Sequence, residues 1–231
     1  IDFKTYEVKP NALFFISPGQ VHAIEINDKA KGYVLSFNSN FFLLNDNLQK
    51  LLDFPFFHSI SNSPVIYLPK EHQKIRQICN DIHSEFNSNQ KGHVKIIRAL
   101  LEILLIQSSR FHTPSNHNDT PAYITYQLRK LEALIDKHFK EYKHLSNYAD
   151  LMHISSKHLN SLCKKGINKT VTNLIHERTI IEAKRLLLFT NNTISEIAFE
   201  LGFSDKSYFM RFFKKHTNYT ADTYRNKGFE M

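Results

Sequence analysis

The apolar residues between positions 193 and 216 recur at the spacing of two short helices. The first predicted helix begins at Thr193, which can form a capping box with Glu196, and it ends before Gly202. A cap at Ser204 or Asp205 predicts the start of the second helix. The apolar positions of the two predicted helices are Ile194, Ile197, Ala198, Leu201, Phe209, Phe212 and Phe213. The polar positions of the second helix form a basic outer face.

The same pattern occurs earlier in the chain, over residues 145–165. A shift of 49 aligns the first helices and pairs Ala149 with Ala198, whereas a shift of 50 aligns the second helices and pairs Leu159 with Phe209. One residue inserted in the second turn explains the change. Short helices joined by a tight turn, with a basic face on the second helix, are typical of a DNA-reading helix-turn-helix. The alternative is a pair of ordinary helical hairpins that serve as a docking surface for another protein.

The first part of the chain has a different pattern. Short β-branched runs separated by turn residues predict strands at 6–8, 12–16, 21–26 and 32–37, as in part of an antiparallel barrel or sandwich. The phenylalanine-rich segment 41–66 predicts core-facing helix and loop. Longer helices are predicted at 70–86, 94–111, 123–142 and 171–189. The last of these would separate the two hairpins by roughly 28 Å.

Two of these helices carry apolar residues with particular expectations. Helix 70–86 carries Phe86 on one apolar stripe with Ile75, Ile78, Cys79 and Ile82. Helix 94–111 has more apolar residues than one packed face needs, because Ile96, Ile103 and Ile106 lie outside the main stripe. This excess indicates either a homodimer surface or packing against the barrel, and the pattern leaves both open.

Charge and composition then narrow the class of protein. The 231 residues allow two domains, predicted at 1–112 and 122–231 and joined by a polar, proline-bounded linker at 113–121. Residues 1–112 carry 12 Lys and Arg against 10 Asp and Glu, whereas 122–231 carry 18 against 11. The second domain therefore suits a polyanion such as nucleic acid. No apolar run is long enough to span a membrane. Cys79 and Cys163 are expected to be reduced core residues, and the chain, which begins with Ile, is expected to start inside a domain of a cytoplasmic protein.

The region from Gln127 to Arg225 resembles the DNA-binding domain of the AraC/XylS family of bacterial transcription regulators. The resemblance covers both hairpins and is most specific over Ile194–Lys215. The family's usual Gly-x-Ser/Thr-Pro ending appears as Asn218–Ala221, without the glycine and the proline. The upstream half resembles a cupin-type sensor domain, with Phe14 and His22 as candidate effector-pocket residues. His22 has no nearby His or Glu set of the kind that a metal requires, so no metal or other cofactor is expected.

The resemblance implies an α+β protein, with a partial cupin-like barrel and helices followed by an all-α bipartite double helix-turn-helix domain. It implies a regulator that inserts two recognition helices into adjacent major grooves, and not an enzyme; a metal-dependent cupin is the enzymatic alternative. Partners would be double-stranded DNA, a second copy through 94–111, a small-molecule effector and RNA polymerase. The predicted base-contacting residues are Lys157, Asn160, Ser161, Lys206, Ser207, Met210 and Arg211. The predicted phosphate-contacting residues are Lys164, Lys165, Arg178, Lys214 and Lys215.

Overall fold

The computed structural model describes residues 1–17, 19–26, 29–38, 41, 54–57, 63–69, 72–88, 90–112 and 121–228. The chain divides into two compact units, Ile1–Asn116 and His117–Met231. The predicted linker 113–121 lies outside the described residues except for Pro121. Across the described ranges, no helix has both the length and the apolar character needed to cross a membrane.

The N-terminal unit contains a small antiparallel sheet. Strand β1 (Ala12–Phe14) pairs with strand β2 (Val65–Tyr67), and Leu13 lies opposite Ile66. A single 3-10 turn before β2 places Phe56 in the core. The sheet is therefore one edge of an apolar cluster, with most of that cluster supplied by helices.

The predicted barrel does not form in the part of the chain that the structure describes. Of the predicted strands, only 12–16 contains a strand, and β2 comes from 41–66, where the sequence predicts helix and loop. Residues 6–8, 21–26 and 32–37 are not part of any strand. β-branched residues favour strands where a neighbouring strand pairs with their backbone and a packed face covers their side chains. In these runs most of the large apolar side chains are exposed instead: Val8, Ile24, Ile26, Tyr33, Val34 and Leu35. Phe37 is an exception, because it packs against the core.

Two helices among the described residues of this unit pack against each other. They are α1 (Gln73–Ser88) and α2 (His93–Ser109), close to the predicted bounds. The buried core consists of Phe56, Ile66, Ile75, Ile78, Cys79, Ile82, Leu101, Leu104 and Leu105. Phe86, the last residue of the predicted apolar stripe, is 69% exposed and does not join this core. Residues 86–88 are all exposed, so the final turn of α1 extends beyond the side chains that cover the rest of its stripe.

The C-terminal unit is helical throughout the residues that are described. Its helices are α3 (Ala122–His138), α4 (Leu145–Leu151), α5 (Ser156–Ile167), α6 (Val171–Phe189), α7 (Ile194–Glu200), α8 (Lys206–Thr217) and α9 (Ala221–Lys227). Helix α6 has the predicted bounds and packs against α3, α5, α7, α8 and α9. It buries Leu174, Ile175, Ala183, Leu186 and Leu187. The two hairpins, α4–α5 and α7–α8, are thus both anchored on one central helix.

Candidate nucleic-acid interface

The turns of the two hairpins are closed by the same backbone hydrogen bonds. In each turn, three N–H groups donate to carbonyls of the preceding helix. The donors after α4 are Met152, His153 and Ile154, and the acceptors are Tyr148, Asp150 and Ala149. The donors after α7 are Leu201, Gly202 and Phe203, and the acceptors are Ile197, Phe199 and Ala198. Every pair is related by the shift of 49, so the repeat in the sequence is a repeat of the backbone.

The helices of the hairpins begin at side-chain caps. Thr193 and Glu196 form the predicted capping box at α7, and these hydrogen bonds hold the pKa of the Glu196 carboxyl below its ordinary value. Asp205 caps α8 by accepting from the N–H groups of Ser207 and Tyr208, which lowers the pKa of its carboxyl. The equivalent cap of α5 is Ser155. Helix α4 has no side-chain cap at His144, so the first hairpin starts with less local support.

The repeat continues past the segments that show it in the sequence. Helices α5 and α8 end at Asn168 and Asn218, both left-handed with φ of 52° and 64°. Thr170 and Thr220 then cap α6 and α9. Asparagine tolerates the left-handed conformation, so Asn218 supplies the backbone angle for which the family uses glycine. The sequence signal for this extension was available, since both pairs are separated by 50.

Helix α5 presents a polar, basic face. Five of the predicted contact residues on this helix, together with Thr170, line one open cleft of about 510 Å³: Lys157, Asn160, Ser161, Lys164 and Lys165. Three of them are lysines, all exposed. The opposite side of α5 buries Leu159, Leu162 and Cys163, and burial raises the pKa of the Cys163 thiol to about 12. The helix is therefore fixed by its apolar side and presents its cations outward.

Asn160 has an internal contact that the sequence did not predict. Its Oδ1 accepts a hydrogen bond of 3.1 Å from the N–H of Val171, the first residue of α6. Adenine recognition by asparagine uses both the amide oxygen and the amide nitrogen. In this conformation one acceptor site of the oxygen ties α5 to α6, which leaves its second acceptor site and the amide nitrogen for DNA.

Helix α8 presents the equivalent face of the second hairpin. Phe209, Phe212 and Phe213 are buried, as their spacing predicts. The opposite face holds the predicted contact residues, and all but the half-buried Met210 are exposed: Lys206, Ser207, Arg211, Lys214 and Lys215. A shift of 50 places Ser207, Met210 and Arg211 at the positions of Lys157, Asn160 and Ser161. The two faces thus coincide in position and differ in chemistry.

Arg178, predicted to contact phosphate, is half-buried and pairs with residues of the C-terminal unit. Its Nε donates to Asp136 at 2.7 Å, its Nη1 lies 3.3 Å from Glu182, and its guanidinium stacks over Phe139. Glu182 is buried and also pairs with Arg185 at 2.6 Å. Burial acts to raise the pKa of Glu182, but the hydrogen bonds and charges of Arg185 and Arg178 outweigh it and lower that pKa. Arg178 therefore joins α3 to α6, and the structure does not place it at an exposed phosphate site.

The candidate effector residues are not brought together. Phe14 lies in β1 opposite Val65, whereas His22 is exposed, with its Nδ1 3.2 Å from the carbonyl of Gln20. Among the described side chains there is no group of three or more His, Cys, Asp or Glu that could hold a metal ion.

The match to a family model falls on the same half of the chain as this geometry. A family model described as a helix-turn-helix domain matches residues 148–227. The transcriptional activator RhaS of Enterobacter sp. (strain 638) is 26% identical over 152 residues, which cover 64% of this chain and 52% of the activator. The C-terminal unit is thus similar to the helix-turn-helix domain of AraC/XylS-type transcription regulators. The bifunctional transcriptional activator/DNA repair enzyme AdaA of Bacillus subtilis (strain 168) is 35% identical over 91 residues, covering 39% of this chain and 43% of that protein.

Among solved structures, the C-terminal domain of the response regulator yesN from Fusobacterium nucleatum is 27% identical. The alignment covers 43% of this chain and 98% of that domain, with a TM-score of 0.41. The matches to the first four curated relatives span 42% to 54% of their lengths. The family model matches residues 148–227, which lie in the C-terminal unit, and the N-terminal unit is interpreted from its own structure.

Proposed function

We propose that this chain is a sequence-specific transcription regulator that inserts α5 and α8 into two adjacent major grooves of a promoter site. The observation that carries the proposal is the duplicated backbone: two helices with matching turns and matching ends, each with a basic outer face and each fixed on α6. Helix α6 contains 19 residues, so it spans roughly 28 Å. That length approaches the separation of about 34 Å between successive major grooves on one face of DNA.

The two faces would divide recognition between base contacts and phosphate contacts. Arg211 can make a bidentate contact to guanine, and Met210 can touch a thymine methyl group. Lys157 and Ser207 lie at equivalent exposed positions of α5 and α8 and would also face base edges, as would the half-buried Ser161 and the exposed Lys206. The lysine pairs near the helix ends would bind phosphates and set the register without reading sequence: Lys164, Lys165, Lys214 and Lys215. Arg178 is not included, because its partners are internal.

The N-terminal unit would provide dimer formation and effector control. On α2, Ile96, Ala99, Ile103 and Ile106 are exposed, and their spacing of three, four and three residues is that of a coiled-coil seam. This favours a second copy of the chain as the partner of the 94–111 surface. A small-molecule effector would act through this unit, and RNA polymerase is the candidate partner at the promoter. An Ile103→Glu variant that stays dimeric by light scattering would exclude this seam as the dimer contact.

In this proposal the chain acts by binding, and not as an enzyme. The DNA repair activity named for AdaA is a property of that protein, of which the match covers 43%. Stoichiometric metal in the purified full chain would instead favour the metal-dependent cupin alternative.

The test is selection of genomic DNA fragments by the purified full chain at about 150 mM salt. We expect a shared site that spans two major-groove turns, protected on one face. Binding should fall steeply with salt, with a slope of about 0.9 per phosphate neutralised on a plot of log affinity against log salt concentration. Binding that is weak, independent of sequence and insensitive to salt would contradict the proposal and favour a protein-docking surface.

A further inference from the structure

The segment after α3 contacts the turn of the second hairpin. We call this contact the joint; it comprises Phe139–Lys143 on one side and Glu200–Phe203 on the other. Lys143 is its centre: the Nζ donates to the carbonyl of Phe139 at 2.6 Å and to the carbonyl of Leu201, and it lies 5.0 Å from the centroid of the Phe203 ring. One ammonium group therefore bonds backbone from both sides.

The two backbones also touch directly at the joint. A Cβ atom built on Gly202 would lie 1.8 Å from the carbonyl oxygen of Lys140, which is far inside van der Waals contact. Beside this point, the Lys140 Nζ pairs with Glu200 Oε1 at 2.9 Å on the partly exposed rim. The second turn is thus held against the end of α3 by backbone contact, a central ammonium group and a peripheral ion pair.

The other end of this connection lies in the first hairpin. Helix α3 packs against α5, and the fit is close because a Cβ on Gly166 would lie 2.4 Å from Leu128 Cδ1. A rigid α3 therefore links the first recognition helix to the turn that precedes the second. This link runs beside α6. Both the link and α6 restrict the angle between the two hairpins.

A half-buried ammonium group adds little to the stability of the protein, but its hydrogen bonds define one geometry. Desolvation, together with the nearby Lys140 charge, lowers the pKa of Lys143 to about 8. Burial of a charge carries a solvation cost that its hydrogen bonds largely offset, whereas the directions of those bonds specify one arrangement. An apolar replacement of Lys143 would remove both the solvation cost of the buried charge and the directional hydrogen bonds.

We infer that Lys143 is a positioning residue that fixes the orientation of the second recognition helix relative to the first. This inference rests on the proposed function for its biological meaning, since the orientation decides which spacing of half-sites on DNA can be bound. The claim that Lys143 fixes the relative orientation of the two helices is independent of that function.

The structural test measures the distance between the hairpins in the full chain. Spin labels are attached at Lys157→Cys and Ser207→Cys, which are equivalent exposed positions on α5 and α8. Cys79 and Cys163 are buried, and protein without the introduced cysteines gives the background labelling. We expect a narrow distance distribution with Lys143 present and at least a twofold broader one with Lys143→Met.

The matched control is Lys140→Met, which removes only the rim ion pair and should leave the distribution narrow. Lys143→Arg retains donors for both carbonyls and should restore the narrow distribution. Lys143→Gln replaces Lys143→Met in the measurement if the methionine variant fails to fold. An unchanged width without the Lys143 ammonium group, in protein with native circular dichroism, would overturn the inference.

The functional test uses the DNA fragment recovered by the unmutated chain and a version with one base pair inserted between the half-sites. The insertion rotates one half-site by about 35° relative to the other. We expect at least a tenfold loss of affinity for the unmutated chain and for Lys140→Met, but less than a threefold loss for Lys143→Met. A loss as large in Lys143→Met would overturn the positioning role. Indifference of the unmutated chain to the insertion would instead refute two-groove binding, while the distance measurement would still decide on the joint.

Discussion

The two hairpins have the same backbone path but reach it with different residues at their turns. The first turn uses His153 with φ of 56° and the second uses Gly202 with φ of 78°, at equivalent positions. His153 is exposed, whereas Gly202 faces the backbone of Lys140 at a distance that excludes a Cβ. Histidine tolerates a left-handed conformation at a modest cost, but no side chain can share space with a carbonyl. The turn itself permits several residues, and it is the surrounding structure that restricts one copy to glycine.

The largest expected effect separates these two turns. Gly202→Ala should lower the free energy of unfolding by about 2–4 kcal/mol, because the methyl group meets a backbone oxygen and the φ angle is unfavourable. His153→Ala should change it by less than about 1 kcal/mol, because that position already holds a side chain. Urea denaturation of both variants, followed by far-ultraviolet circular dichroism, gives the comparison. Equal losses would mean that the contact at Lys140 does not restrict the second turn.

The next effect separates the two recognition faces. Arg211→Ala should weaken binding to the selected site by about 1–3 kcal/mol and relax the preference at one base pair. Ser161→Ala, at the equivalent position of α5, should cost less than about 1 kcal/mol, because a hydroxyl makes a single uncharged contact. Titrations by fluorescence anisotropy against the selected fragment and a scrambled one measure both. If Arg211→Ala loses as much on scrambled DNA, its assignment to a base is wrong.

A smaller effect separates the starts of the hairpins. Thr193→Ala removes the cap of α7 and should destabilise the protein by about 0.5–2 kcal/mol. His144→Ala, at the equivalent position before α4, should have little effect because His144 makes no capping hydrogen bond. Thermal unfolding of the two variants and the unmutated chain measures both changes in stability. A larger loss from His144→Ala would show that this side chain supports α4 in another way.

A similar effect is expected where the two hairpins carry the same residue at equivalent positions, as with Lys164 and Lys214. Lys164→Ala and Lys214→Ala should each weaken binding to selected and scrambled DNA equally, and each should reduce the salt slope by about 1, because phosphate contacts carry no sequence information. Binding isotherms at several salt concentrations provide the slopes. A change in sequence preference with either variant would place that lysine at a base.

The smallest effect depends on pH. The pKa of Glu196 is held below its ordinary value of 4.5 by the hydrogen bonds of the capping box. A carboxyl with a lowered folded-state pKa stabilises the protein above its unfolded pKa and loses that contribution as the pH falls through the folded value. The stability difference between the unmutated chain and Glu196→Gln should therefore narrow below pH 4.5. A difference that stays constant as the protein is acidified would mean that the carboxylate charge does not contribute.

Local signals made much of the C-terminal unit predictable. The bounds of α6, the box at Thr193 and Glu196, the cap at Asp205 and the buried phenylalanines of α8 all depend on residues within four positions of one another. Such interactions are visible in a sequence because the helix itself brings the partners together.

The features that sequence reasoning missed depend on partners distant in the chain. Arg178 meets Asp136 across 42 positions, and Lys143 meets Leu201 across 58. Their charges look the same in the sequence as those of exposed lysines. The prediction of strands at 6–8, 21–26 and 32–37 was wrong for a related reason, since a β-branched run becomes a strand only when another strand pairs with it. Pairing is a property of the fold, and spacing along one run does not reveal it.

The central helix also limits how such a protein can change over generations. Helix α6 turns by about 100° per residue, so one inserted or deleted codon within it would swing everything that follows to another side of the helix. Substitutions on its exposed surface leave that angle unchanged. Under the two-groove proposal, the length of this segment is inherited as a fixed unit, while new target preferences arise by exchange of the few side chains on α5 and α8.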